Sequence, residues 1–187
     1  MARGDGRLTH DLLPDDKPPQ DACGVFGVWA TGEEVAKLAY FALYALQHRG
    51  QEAAGIAVSD GASVLVYKDL GLVSQVFDEA TLNTLQGHIA VGHTRYSTTG
   101  STTWENAQPS FRTTSAGTGL ALGHNGNLVN TADLAAAAAG LTGGLGSTSD
   151  SDLITALLAA RPDVSVEQAA LEVLPTLRGA FSVVVVD

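Results

Sequence analysis

Two apolar runs, AGIAVSD (54–60) and ASVLVYKD (62–69), flank Asp60-Gly61, a pair that favours the left-handed backbone of a hairpin turn. This feature constrains the fold more than any other in the chain. Short turns join antiparallel neighbours, so at least one antiparallel sheet is expected. IAVGHTRY (89–96) and GLALGHNG (119–126) read as further strands, each opening into a polar, glycine-bearing end.

The flanking segments supply helices. CGVFGVWA (23–30) is a short apolar run that suits a strand covered on both faces. Thr31 and Glu34 have the spacing of a capping box, and Val35, Leu38, Ala39, Ala42, Leu43 and Leu46 repeat at helical spacing up to a stop near Gly50. The second half is richer in helix: TADLAAAAAG (131–140), SDSDLITALLAAR (149–161) and SVEQAALEVLPTLRG (165–179), with a glycine and serine loop, LTGGLGSTS (141–149), before the second. FSVVVVD then reads as a final strand that needs neighbours to pair with, which suggests a fold incomplete at the C-terminus. The fold class expected is α+β, with antiparallel sheets and helices packed on their faces.

The 187 residues, 45% hydrophobic, suffice for one domain with a substantial core. A net charge of -10 argues against nucleic acid and anionic membrane as partners, because phosphates are repelled unless a basic patch overrides the net field. No apolar run reaches the roughly 18 residues of a membrane span. The single cysteine forms no internal disulfide and no zinc site, and the default compartment is the cytoplasm. Residues 1–22, with Pro14, Pro18 and Pro19 among aspartates, lack the apolar stretch of about 7 to 15 residues of a secretory signal and are expected to be disordered or cleaved.

Five polar segments stand at strand ends or turns: Cys23, QHRGQE (47–52), GHTRYSTTG (92–100), GHNGN (123–127) and TSDSD (148–152). Each has a plain explanation: a buried thiol, surface arginines at 49 and 95, core histidines at 93 and 124, a turn at Asn125-Gly126, a helix cap at Ser149-Asp150. Together, and in this order, CGVFGVW, LQHRGQEAAGIAV, GLVSQVF, GHTRYSTTG, HNGNLVN and TSDSDLI resemble the class II glutamine amidotransferase domain, an N-terminal-nucleophile hydrolase. The resemblance covers residues 23–187 and implies a four-layer αββα sandwich.

It also implies a site. Cleavage after Ala22 frees an α-amine beside the Cys23 thiol, so one residue supplies nucleophile and base; an internal Cys23 has only a peptide nitrogen, which accepts no proton near pH 7. By the same resemblance the Asn125 side chain and the Gly126 N–H stabilise the oxyanion. Arg95 holds the glutamine α-carboxylate through its two-pronged guanidinium, Asp150 pairs with the α-ammonium, and Thr98 adds a hydrogen bond. Arg49 and Gly50 complete the substrate side near the amine. Asp152 stands where the family more often has glutamate.

Within the class, LQHRGQE, GLVSQVF and Tyr96 resemble the branch that joins this domain to a phosphoribosyltransferase domain and passes ammonia to phosphoribosyl pyrophosphate, the first committed step of purine synthesis. Glucosamine-6-phosphate synthase would show a tryptophan after the arginine and a Tyr-Arg-Gly-Tyr-Asp type segment. Two alternatives stay open: another class II amidotransferase, and a non-catalytic fragment. The resemblance implies Mg2+ and, in some leader-bearing members, a [4Fe-4S] cluster in the full-length enzyme, with no cofactor in this chain, and a homo-oligomer at full length.

Overall fold

The computed structural model describes residues 23–96, 103–114, 116–138, 146–147, 149–161 and 164–187; the leader expected over 1–22 lies outside them. Two antiparallel sheets form the centre. The first has four strands in the order β1 (Gly24–Trp29), β4 (Ile89–Arg95), β2 (Ala53–Ser59), β3 (Val64–Leu70), and the second has three, β5 (Ser110–Thr113), β6 (Gly119–Leu128) and β7 (Gly179–Val186). β2 and β3 make the expected hairpin. Its loop is wider than a two-residue turn, because pairing stops at Ser59 and Val64 and the Asp60 carboxylate accepts from the Ala62 and Ser63 N–H groups at 2.8 and 2.7 Å.

Strand alternation sorts the side chains into three apolar layers. Ala54, Ile56, Val58 and Ala90 face outward from the first sheet onto α1 (Val35–Ala45), α2 (Val73–Val76) and α3 (Glu79–Thr84), where Val35, Ala39, Leu43, Val73 and Leu82 meet them. Leu120, Leu122 and Leu128 of the second sheet pack on α4 (Thr131–Ala138), α5 (Asp150–Ala159) and α6 (Val166–Val173) through Leu134, Ile154, Leu158 and Val173. Ala57, Val91, Ala121 and Val186 form a thin layer between the sheets. β7 shows the division within one strand: Phe181, Val183 and Val185 turn to the helices, while Val184 and Val186 turn to the opposite sheet. The order is helix, sheet, sheet, helix, as the family resemblance implies.

Three local expectations change. β1 pairs only with β4, so it is an edge strand, and its last residue, Trp29, is 75% exposed rather than covered on both faces. The capping box does not form: Glu34 itself is the N-cap of α1, makes no side-chain cap bond and instead pairs with Lys37 at 2.8 Å. The third change concerns Asn125-Gly126. They are not a turn but lie inside β6, held there by β7 through the pairs Asn125 with Ser182 and Gly126 with Phe181.

Candidate active site

Cys23 immediately precedes β1, and because Gly24 pairs with Thr94 it stands beside the end of β4. Its Sγ lies 3.4 Å from both the N and the O of Tyr96. Burial pushes the thiol above its ordinary pKa; the Tyr96 N–H and the nearby Arg95 charge act the other way without reversing it, so the group is a thiol at neutral pH.

A 3-10 turn, Gln47–Arg49, is folded back over this corner. The Arg49 Nε donates to the Cys23 carbonyl at 3.3 Å. Gln47 ties the turn down, donating through Nε2 to the Gly50 carbonyl and accepting the Val73 N–H at 2.6 Å. Gly50 runs directly against β4: a Cβ there would sit 2.6 Å from the Thr94 carbonyl oxygen, so no larger residue permits this approach. Arg95 is no surface arginine. It is 5% exposed, with Nη1 3.9 Å from Glu52 Oε2, and the Glu52 N–H donates to the Arg95 carbonyl at 3.1 Å.

The second sheet presents a strand edge. β5 covers β6 only as far as Leu122, which pairs with Ser110. Beyond it, the even-numbered N–H groups of β6 continue to point to that side by strand alternation. That of His124 is taken by Gln108 Oε1 at 2.7 Å, and that of Leu128 by Asp150 Oδ2 at 3.3 Å. The Gly126 N–H lies between these two on the same edge. Gly126 has φ 144, and a Cβ would lie 2.3 Å from the Ala180 carbonyl oxygen, so the position is closed to other residues both conformationally and sterically.

Asp150 opens α5, whose N-cap Ser149 accepts from the Asp152 N–H at 3.2 Å. Its Oδ1 accepts from the Ser151 N–H at 3.0 Å and lies 3.5 Å from His124 Nδ1. Burial acts to raise the Asp150 pKa, but the His124 ring and the Leu128 and Ser151 N–H groups outweigh it and hold the carboxyl below the usual range. Asp152, two residues on, faces away into the fold: it takes Nε and Nη2 of Arg112 at 3.2 and 3.0 Å and the N–H groups of Gly146 and Ser147. His93 and His124 are 0% and 2% exposed, and His93 Nε2 meets the His124 carbonyl at 3.0 Å. Burial drives the His93 pKa down to about 3, so this ring is neutral at any physiological pH.

The two groups of residues belong to one end of the sandwich. A Cβ on Gly123 would lie 3.4 Å from Val25, and His124 is tied to His93, so β6 runs from there toward the corner that holds Cys23 and Arg95. Cys23, Arg49, Gly50 and Arg95 come from the first sheet and its turn, Asn125 and Gly126 from the second sheet, and Asp150 from α5, which packs on it. Thr98 lies outside the described residues. Gln108 escaped the sequence reading, since a lone glutamine at a loop carries no periodic signal, and Gln47 and Glu52 stood in the QHRGQE segment without an assigned role. A cleft of about 390 Å³ opens elsewhere, between β3 and β5, lined by Val64, Lys68, Trp104, Phe111 and Asp152 and not by Cys23.

A sandwich of this kind with a thiol at its strand entrance defines a class, and sequence comparison agrees: the profile for "Glutamine amidotransferases class-II" matches residues 34–184, and the chain belongs to that family. Among its relatives, the amidophosphoribosyltransferase of Mycobacterium tuberculosis is 66% identical over 179 residues, 92% of this chain and 34% of that protein. The Bacillus subtilis amidophosphoribosyltransferase is 37% identical over 91% of this chain and 36% of its own length. The solved glutamine phosphoribosylpyrophosphate amidotransferase from B. subtilis, complexed with ADP and GMP, superposes with a TM-score of 0.76 at 34% identity, over 87% of this chain and 34% of that one. A structure described as the allosteric regulatory enzyme of purine biosynthesis gives 0.78 at 34% identity, over 87% of this chain and 35% of that one. The chain thus spans about a third of the length of these proteins.

Proposed function

We propose that this chain is the glutamine-hydrolysing domain of an amidophosphoribosyltransferase, supplying ammonia for the conversion of phosphoribosyl pyrophosphate to 5-phosphoribosylamine in purine synthesis. The observation that carries the reading is the 66% identity, over 92% of this chain, to the amidophosphoribosyltransferase of Mycobacterium tuberculosis, supported by the place of Cys23 at the entrance of β1 and of Gly126 within β6.

In this reading the leader is cut between Ala22 and Cys23. The freed α-amine takes the thiol proton as sulfur attacks the side-chain amide carbon of glutamine. A base is needed because burial keeps the thiol protonated. The negative charge that develops on the amide oxygen is met by the Asn125 side chain and the Gly126 N–H. Collapse of this intermediate breaks the C–N bond, the α-ammonium returns its proton to the leaving nitrogen, and ammonia departs. Water then attacks the thioester, releasing glutamate and restoring the thiol. Arg95 and Asp150 fix the substrate's carboxylate and ammonium. Arg49, bonded to the Cys23 carbonyl, holds the nucleophile's main chain, and Gly50 lets the turn that carries Arg49 lie against β4.

Phosphoribosyl pyrophosphate and Mg2+ are assigned to a phosphoribosyltransferase part outside this chain, as is any [4Fe-4S] cluster. Among the described residues no group of three or more His, Cys, Asp or Glu side chains is arranged to hold a metal, and Cys23 alone does not fit a cluster. Among the same residues no helix is long and apolar enough to cross a membrane. A cytoplasmic homo-oligomer completes the proposal.

The test is intact-mass measurement combined with glutaminase assay. Active protein is expected to have lost residues 1–22, and Cys23→Ala is expected to release no ammonia. Full activity in a chain that still carries its leader would overturn the amine as base.

A further inference from the structure

We propose that Gln108 is a positioning residue for glutamine hydrolysis: its side-chain amide stands in for a strand, fixing the His124 peptide so that Asn125 and Gly126 are aimed at the reacting carbonyl. The inference rests on the function proposed above and adds to it a residue that touches no substrate.

The register makes the substitution visible. Ser110 pairs with Leu122, so if β5 continued, Gln108 would stand opposite His124 and Asn106 opposite Gly126. Instead the chain turns away through a 3-10 turn, Trp104–Asn106, and only the side chain of Gln108 reaches back. Its Oε1 accepts from the His124 N–H at 2.7 Å and its Nε2 donates to the His124 carbonyl at 3.2 Å, the two bonds a neighbouring peptide would have made. A true strand would have satisfied His124 equally well but would also have covered the Gly126 N–H. A two-bond amide ends the pairing at His124, two residues short of it. Among the described residues the edge is thereby tied at position 124 and has no such strand cover at 126.

The segment carrying Gln108 is itself strapped to the first sheet. Lys68 Nζ donates to the Ala107 carbonyl, its ammonium lies 5.1 Å from the centre of the Trp104 ring, and Trp104 Nε1 donates to the Lys68 carbonyl at 3.0 Å. Gln108 is 6% exposed, and the absence of a side chain at Gly55 allows its main chain to lie against β2, where a Cβ would come 2.1 Å from the Gln108 carbonyl oxygen. His93 Nε2 supplies a second contact to the His124 carbonyl at 3.0 Å, so loss of Gln108 leaves that oxygen partnered and strips only the N–H. The expected result is a looser β6 edge in a folded protein.

The experiment uses the full chain with its leader removed, comparing wild type with Gln108→Met, which keeps the volume and loses both bonds. Four quantities are measured: kcat, KM for glutamine, inhibition by glutamate, and inhibition by glutamate γ-semialdehyde. Addition of the thiol to this aldehyde puts an oxygen where the oxyanion forms. The inference expects kcat to fall about 10- to 100-fold and aldehyde inhibition to weaken by the same factor, with KM and glutamate inhibition changing less than about twofold. Should Gln108→Met fail to fold, Lys68→Met, which loosens the strap, carries the test with a smaller fall, about three- to tenfold, and the same split. Unchanged kcat, or a fall that leaves aldehyde inhibition untouched, overturns the inference and leaves the glutaminase function standing. A wild type that hydrolyses no glutamine after leader removal overturns both.

Discussion

The two sheets hold their halves of the proposed site by different physics. The first relies on close backbone approach: all seven residues of β2 are buried, four of the first five are alanine or glycine, and Gly50 and Gly55 each let another segment lie directly against the sheet. The second relies on polar ties: Gln108 to His124, His124 to Ser151, Asp150 to Leu128, and Asp152 to Arg112 and two loop N–H groups. The difference suits what each sheet would carry in the proposed function. A nucleophile needs a fixed point in space, which tight packing provides. Hydrogen-bond donors must be aimed, and directional bonds do that.

The largest predicted effect breaks the polar half. Removing one member of the partly buried Arg112–Asp152 pair, as in Asp152→Ala, is expected to cost about 3 kcal/mol in denaturant unfolding, because the half-buried guanidinium and the Gly146 and Ser147 N–H groups lose their partner. The double variant Arg112→Met/Asp152→Leu is expected to recover part of that loss, since neither charge then remains.

Asp150→Asn is next, at about 2 kcal/mol near pH 7, the scale of hydrogen bonds to a charged group. Its carboxyl has a lowered pKa in the folded chain, so the unfolded chain binds more protons as pH falls through the range between the two values. The stability it adds is therefore complete above the unfolded value of about 3.9 and is lost below it. Denaturant curves of wild type and variant are expected to converge only below about pH 4.

The packed half is broken by volume instead. Gly55→Ala puts a methyl group into the Gln108 carbonyl and is expected to destabilise by about 1–3 kcal/mol in thermal melts, with no pH dependence of its own. Smaller effects come from helix entry. Ser165 accepts from the Gln168 N–H at 3.2 Å as the N-cap of α6, and Ser165→Ala is expected to cost about 1 kcal/mol. Thr31→Ala, at the capping box that does not form, is expected to stay within about 0.5 kcal/mol. A loss at Thr31 equal to that at Ser165 would contradict the uncapped start of α1.

Much of this was legible in the sequence, and particular residues show where legibility stops. The helices of the second half follow their apolar spacing, with Ser149 and Ser165 as caps, because capping and periodicity are local. β5, the four residues Ser110–Thr113, has no alternation to read and exists because β6 offers it a partner. Asn125-Gly126 read as a turn for the same reason in reverse: the pair favours turns by itself, and pairing with β7 keeps it in a strand. Gln108 has no local signal at all, since its role depends on a carbonyl and an N–H sixteen residues away.

The sequence by itself determined the class of fold, the chemical types available for the site and the order in which they occur, because turn chemistry, apolar periodicity and side-chain identity are properties of short segments. Tertiary structure decided which strand is an edge and where β5 stops along β6. Those outcomes depend on pairing between distant residues, whose free energy resides in the contact and not in either segment alone.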